Sequence, residues 1–223
     1  MKRTTVHLMR HGEVHNPDGI LYGRLPGYRL SELGTQMVQM TADHLKTEGH
    51  DIRRVVASPL LRAQESAAPS AKVFGLSVES DERLIESGNS FEGFQVNANR
   101  LALAHPRFWW RYRNPFTPSW GEPYIEMLLR MRSAIISAIN KAEGGEVLLV
   151  SHQLPIWVVR RYVEGQALAH SPNRRQCALA SLTSLTFLDH TLVGLSYAEP
   201  AKSLMAQAID MVPGTSAAGA NRG

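Results

Sequence analysis

The 223-residue chain has a single cysteine, Cys177, so no internal disulfide can form and a reducing cytoplasm is the expected setting. Long apolar runs are also missing. "VLLVS" and "IWVVRRYV" are the longest candidates, well short of the roughly 20 residues a membrane helix needs, so no membrane partner is expected. The start "MKRTTVHLMRHGE" is basic but has neither the apolar run nor the small-residue cleavage site of a secretion signal. Despite a net charge of +4, the basic residues are dispersed, with no run of about five or six, which argues against nucleic acid as a partner. No internal repeat and no linker divides the chain.

What remains is an ordinary globular composition, 43% hydrophobic and 20% charged, long enough to bury a sizeable core. Most of the basic residues are arginine, whose planar fork suits phosphate, although scattered surface charge would look the same. "TTVHLM" reads as a first strand. "SELGTQMVQMTADHLKTEG" reads as a helix with Ser31 as N-cap and Gly49 past its end. "RRVVAS" is a second strand, and "SPLLRAQESAAPSA" opens a helix with Ser58 as N-cap and Pro59 at its first position. "LSVES" follows as a third strand. A long helix over "GEPYIEMLLRMRSAIISAINKAEG" is predicted to bury Ile125, Leu128, Leu129, Ile135, Ile136 and Ile139. "EVLLVS" is the most strand-like run, "LPIWVVRRYVEG" a helix, and "SLTSLTFLD" with "LVGLSYAE" a closing pair of strands. Alternating strands and helices predict an α/β fold.

Ligands of open α/β sheets bind beyond the carboxyl ends of the strands. Three strands here end in chemically pointed residues: Arg10-His11-Gly12, Arg62 shortly after "AS", and Ser151-His152. If those strands are neighbours, two arginines and two histidines converge, and an anion such as a phosphoryl group resolves their repulsion. Each residue alone is more economically read as structural; their joint placement gives the reading its force. The spacing of His11 and His15 in "HGEVH" would serve a metal only on a helix, which Gly12 and the turn signal "NPDG" disfavour, so no metal is expected. His7 is expected to be structural, His15 to stand at a pocket mouth or face solvent, and Cys177 to be core.

Several blocks together resemble the histidine phosphatase superfamily, which includes cofactor-dependent phosphoglycerate mutases and many phosphatases. "LMRHGEVHN" resembles its RHG signature, "YGRLPGYRLSELG" its Gly-rich segment, "ASPLLRAQESA" its second-arginine block, and "DERLIESGNSFEG" its acidic block. "VLLVSHQLPI" and "SLTSLTFL" follow in the family's order, so the resemblance covers roughly residues 4 to 199. It implies a three-layer αβα fold with a mostly parallel central sheet, phosphoglycerate mutase-like. It implies His11 as nucleophile, Arg10, Arg62 and His152 around the phosphate, and Glu86 as general acid, with Glu82 a minor competitor. Asn16, one residue early against the usual spacing, and Gly23 are expected to touch substrate. No cofactor is expected.

The implied activity is a metal-independent phosphomonoester hydrolase working through phosphohistidine on a small phosphorylated metabolite. The short gap between Glu92-Gly93 and Gly121-Glu122 is similar to the phosphatase branch rather than the mutases. A phosphoglycerate mutase-type phosphotransferase and a non-catalytic phospho-ligand module stand as alternatives. The expected organisation is a domain over residues 1–200, with 94–120 as a cap-like insertion, and a tail over 201–223 in which "KSLMAQAIDMV" forms a short amphipathic helix. The cap holds Phe108, Trp109, Trp110, Tyr112, Phe116 and Trp120 among Arg107, Arg111 and Arg113. Arg174 and Arg175 read as a surface loop near the same edge, and apolar positions on the closing strands leave a homodimer open.

Overall fold

The computed structural model describes residues 1–89, 92–95 and 121–210. Its centre is a six-stranded sheet in the order β3-β2-β4-β1-β5-β6. In chain order these are β1 (Arg3–Arg10), β2 (Ile52–Ala57), β3 (Val78–Ser80), β4 (Glu146–Ser151), β5 (Leu182–Leu188) and β6 (Thr191–Ala198). The pairs β1–β4, β2–β4 and β2–β3 are parallel, while β5 runs antiparallel to both β1 and β6. The helices are α1 (Glu32–Thr47), α2 (Leu61–Phe74), α3 (Tyr124–Lys141) and α4 (Gln153–Val163).

Strand alternation builds the three layers. Val6 and Leu8 of β1 and Val147 and Leu149 of β4 face a core completed by α3 and α4. Met9, Leu148 and Val150 point the other way, into a core completed by α1 and α2. Both faces of the central strands are therefore covered, which is why they read as nearly continuous apolar runs. Among the described residues no helix is long and apolar enough to cross a membrane.

Sequence expectations change at two of the helices. The apolar face of α3 is Met127, Leu128, Met131, Ala134, Ile135, Ala138 and Ile139, whereas Ile125, Leu129 and Ile136 are exposed. The stripe is continuous only when methionine and alanine are counted as core residues alongside the larger aliphatics. Helix α2 begins at Leu61, after Leu60, with no side-chain cap. Ser58 stands too far before Leu61 to cap it; its oxygen accepts from Leu60 N–H at 3.4 Å and its hydroxyl lies 2.8 Å from His152 Nε2. At α1, by contrast, Ser31 is the N-cap and accepts from Gly34 N–H at 2.9 Å.

Residues 201–210 pack onto the domain. A single 3-10 turn (Lys202–Leu204) takes the place of the amphipathic helix, and Ala201, Met205 and Ala208 are buried against the α1–α2 side. The aromatic and basic residues at 105–120 lie outside the described residues.

Candidate active site

The site follows from one register. Arg10 of β1 stands opposite Ser151 of β4 in a parallel ladder, so the next residues, His11 and His152, leave the sheet side by side. His11 N–H donates to Ser151 C=O at 3.1 Å, and the two imidazole centroids are 5.2 Å apart. The chain then turns away to α1 on one face and α4 on the other, opening a crevice at the carboxyl ends of the strands. Gly12 is required there: a Cβ would stand 2.6 Å from the Gly34 carbonyl oxygen of α1. Residues 11–15 do not form a helix; His11 is buried and His15 exposed, so the pair does not share a face.

His11 Nδ1 lies 2.8 Å from the Gly12 carbonyl oxygen. A carbonyl can only accept, so Nδ1 carries the proton in the neutral ring and Nε2 holds the lone pair. Burial first, and then the charges of Arg62 and Arg10, hold the His11 pKa well below the ordinary 6.5. The same causes, burial and Arg62 leading, keep His152 neutral. Its Nε2 is 2.8 Å from Ser58 Oγ, and its buried Nδ1 has no protein partner among the described residues. When the Ser58 hydroxyl donates to Nε2, the proton sits on Nδ1 and makes that atom a donor.

Both arginines are buried. Arg62 Nη2 donates to the Gly23 carbonyl at 2.7 Å, and its guanidinium lies 4.7 Å from the Tyr22 ring centroid. Arg10 donates from Nη1 and Nη2 to the two carboxylate oxygens of Asp210, each at 2.7 Å. The Nε–H groups of Arg10 and Arg62 are buried without a protein acceptor among the described residues. Two guanidinium Nε–H groups and one imidazole nitrogen, all buried and without a protein partner among the described residues, are donors of the kind an anion accepts from.

Glu86 is half-buried on the loop after the 3-10 turn Glu82–Leu84, which Ser151 Oγ holds by donating to Leu84 C=O at 2.7 Å. Burial raises its pKa, against the opposing effects of Ser87 N–H and of Arg62, Arg175 and Arg10. Glu82 is exposed and belongs to a different surface hollow beside Arg54 and Lys141. Of the remaining expected contacts, Asn16 closes its own loop, donating to Ile20 C=O at 2.8 Å and accepting from Ile20 N–H at 3.0 Å. Gly23 supplies backbone: its φ is +37°, and a Cβ would lie 2.2 Å from Glu92 Oε1.

Several site residues carry no sequence signal of their own. Arg175 is buried rather than on a surface loop, donating to His170 Nε2 at 2.9 Å and Gln153 Oε1 at 3.2 Å. Ser58, Tyr22 and Asp210 emerge only from tertiary contacts. Arg24 donates to the Glu86 carbonyl at 2.7 Å and to Glu122 at 2.9 Å, bracing the acidic loop.

Among the described residues, His7, His50 and Glu146 are the one cluster with metal-capable geometry. Glu146 opens β4 and His50 precedes β2, so the cluster lies toward the amino ends of the strands, away from His11. Its polar atoms satisfy one another: Glu146 Oε2 is 3.1 Å from His7 Nε2 and 2.7 Å from His50 Nδ1.

The family model for the histidine phosphatase superfamily (branch 1) matches residues 6–199. Protein Rv0525 of Mycobacterium tuberculosis is 53% identical over 200 residues, covering 90% of this chain and 98% of that protein. The structure of a mycobacterial glucosyl-3-phosphoglycerate phosphatase aligns with a TM-score of 0.71 at 24% identity, over 89% of this chain and 99% of that one. A phosphoglycerate mutase from Bacillus anthracis aligns with 0.70 at 19% identity, over 91% and 96%. The two structures attest the fold alone. With the RHG histidine, the parallel β1–β4 pair and a family match over nearly its whole length, the chain belongs to branch 1 of the histidine phosphatase superfamily.

Proposed function

We propose that the protein is a metal-independent phosphomonoester hydrolase that forms a phosphohistidine on His11. The observation that carries this reading is the 2.8 Å contact from His11 Nδ1 to the Gly12 carbonyl, which leaves Nε2 unprotonated among the unpartnered donors of Arg10, Arg62 and His152. Nε2 attacks phosphorus as the bond to the leaving oxygen breaks. The two guanidinium groups and His152 stabilise the equatorial oxygens, supplying positive charge that other phosphoryl-transfer enzymes take from magnesium. Glu86, whose pKa burial raises, gives its proton to the departing alkoxide and releases the alcohol. Its carboxylate then takes a proton from water, the water oxygen bonds to phosphorus, and the P–N bond breaks to regenerate neutral His11. The Gly12 carbonyl stabilises the Nδ1–H throughout, because the phosphorylated ring is more acidic than the free one.

Hydrolysis is favoured over mutase chemistry by the short segment between Gly93 and Gly121, which resembles the phosphatase branch. The relatives' names include both activities and do not choose between them. A small phosphorylated metabolite is the proposed substrate class, which the burial of Arg10, His11, Arg62 and His152 supports.

The test is hydrolysis of p-nitrophenyl phosphate in EDTA by wild type and His11→Ala, with acid-quench trapping of the phosphoenzyme. Metal-free turnover with an acid-labile phosphohistidine supports the reading. A requirement for added metal, or unchanged turnover in His11→Ala, removes it. Isomerisation of phosphoglycerate on addition of bisphosphoglycerate, without net phosphate release, would instead favour the mutase.

A further inference from the structure

We propose that Asp210 is a positioning residue that aims Arg10 at the phosphoryl group, which makes the segment over residues 201–210 a working part of the site. The proposal rests on the reading that an anion occupies the His11 pocket. The pair joins residues 200 positions apart, and the Arg10 and Asp210 side chains are only 4% and 2% exposed.

A guanidinium has five N–H groups in one rigid plane. Asp210 takes one from Nη1 and one from Nη2, and the Cys177 carbonyl takes the second Nη1 proton at 2.7 Å. What is left is the Nε–H and the second Nη2–H, which lie parallel on the adjoining edge. Nε–H has no acceptor among the described residues. Asp210 thus occupies the end of the fork and leaves its side as a two-donor fork for phosphate. It also fixes the plane of the ring, because a bidentate pair allows little rotation.

Charge works in the same direction. Burial alone would lower the Arg10 pKa, yet the Asp210 carboxylate overrides it and the net shift is upward. Arg10 therefore stays cationic beside Arg62 without an anion bound, and part of their mutual repulsion is cancelled. The carboxylate meets the Nη1–Nη2 end of Arg10 rather than its Nε edge, so it orients the arginine without blocking that edge.

The segment is anchored independently of the ion pair. Glu13 Oε1 accepts Ile209 N–H at 2.6 Å, and Glu13 Oε2 accepts from Ser31 Oγ, the N-cap of α1. Met205 and Ala208 are buried beneath. Glu13 lies two residues beyond His11, so the loop that carries the nucleophile also holds the backbone next to Asp210.

The test compares wild type, Asp210→Asn and Asp210→Glu by orthovanadate binding in calorimetry, by kcat and KM on p-nitrophenyl phosphate, and by thermal melting. Outer partners of this kind typically matter by about 10–100-fold, and that loss in vanadate affinity and kcat/KM is expected for Asp210→Asn. Asp210→Glu keeps the carboxylate and should recover part of it. In wild type, the Arg10 Nε–H resonance, assigned with Arg10→Lys, should shift on saturation with vanadate. Should Asp210→Asn fail to fold, the resonance and Asp210→Glu still decide. Wild-type vanadate affinity and kcat/KM in Asp210→Asn, or an Nε–H signal that vanadate leaves unmoved, overturns the proposal. Tight vanadate binding by a wild type that hydrolyses no phosphomonoester would instead sink the hydrolase reading and leave the Asp210 comparison intact.

Discussion

Arg10 and Ser151 face each other across the β1–β4 ladder, and that one backbone pairing sets His11 beside His152 with ring centroids 5.2 Å apart. The two strands are separated by most of the chain, and parallel pairing with this register is what turns two remote histidines into one site. A slip of one residue would send one ring to the opposite face of the sheet.

Replacing His11 with alanine should lower kcat by on the order of 10³-fold or more, since it removes the nitrogen that takes up the phosphoryl. The loss is read from phosphate release, with circular dichroism showing an intact fold. Phosphoenzyme should be absent from the acid-quenched sample.

Replacing Glu86 with glutamine should cost roughly 10²–10⁴-fold in kcat/KM, which reports the phosphorylation half-reaction alone, on an alkyl phosphate. On p-nitrophenyl phosphate the cost should be much smaller, because that leaving group departs without a proton. Equal losses on both substrates would remove Glu86 from the role of acid.

Activity should peak on the acidic side of neutrality. His11 must be neutral to attack, and its depressed pKa keeps it so until well below 6.5. Glu86 must be protonated, and its raised pKa keeps it so above the ordinary carboxylate range. The rate therefore falls with acid through His11 and with base through Glu86. In Glu86→Gln the basic limb of the kcat/KM profile should flatten.

Stability should fall as pH drops below 6.5, the ordinary value at which an unfolded histidine takes a proton. His152 stays neutral in the folded state, so in that window the unfolded chain binds one more proton at this site and gains on the native state. His152→Gln should reduce the slope of unfolding free energy by an amount that rises from about 0.7 kcal/mol per pH unit at pH 6.5 toward about 1.4 near pH 5. Urea titrations at several pH values measure it, and an unchanged slope would mean that His152 is protonated in the fold.

Ser58→Ala leaves the buried His152 Nε2 without its partner, so a loss of about 1–3 kcal/mol in unfolding free energy is expected. If Ser58 were instead the cap of α2, the loss would come with fraying of that helix and would leave activity unchanged. Hydrogen exchange in Leu61–Glu65 together with kcat distinguishes the two.

Local pattern was enough to read the strands, the Ser31 cap and the positions of His11, Arg62 and His152 in "RHG", "SPLLR" and "VSHQ", whereas Glu86 in "LIESG" came only from the family resemblance. Each of the first three follows a strand end or opens a helix, and period-2 and period-3.6 repeats reveal such places without tertiary information. The face of α3 was misread because exposed Ile125 and Leu129 are as apolar as the residues that are buried; depth, not hydropathy, separates them. Ser58 reads as a cap because Ser-Pro is a common helix opening, but α2 begins only at Leu61, and the contact of Ser58 with His152 Nε2 at 2.8 Å is one that only the fold creates.

By itself the sequence determined the order of elements and the apolar runs of the central strands, which depend on neighbours in the chain. Only the tertiary structure decided that Arg175 is buried, that Arg24 braces the acidic loop, and that Asp210 reaches back across 200 positions to Arg10. An ion pair between residues so far apart leaves no periodic trace, because its strength depends on the burial and relative orientation of two side chains, and both are set by the packing of the whole domain.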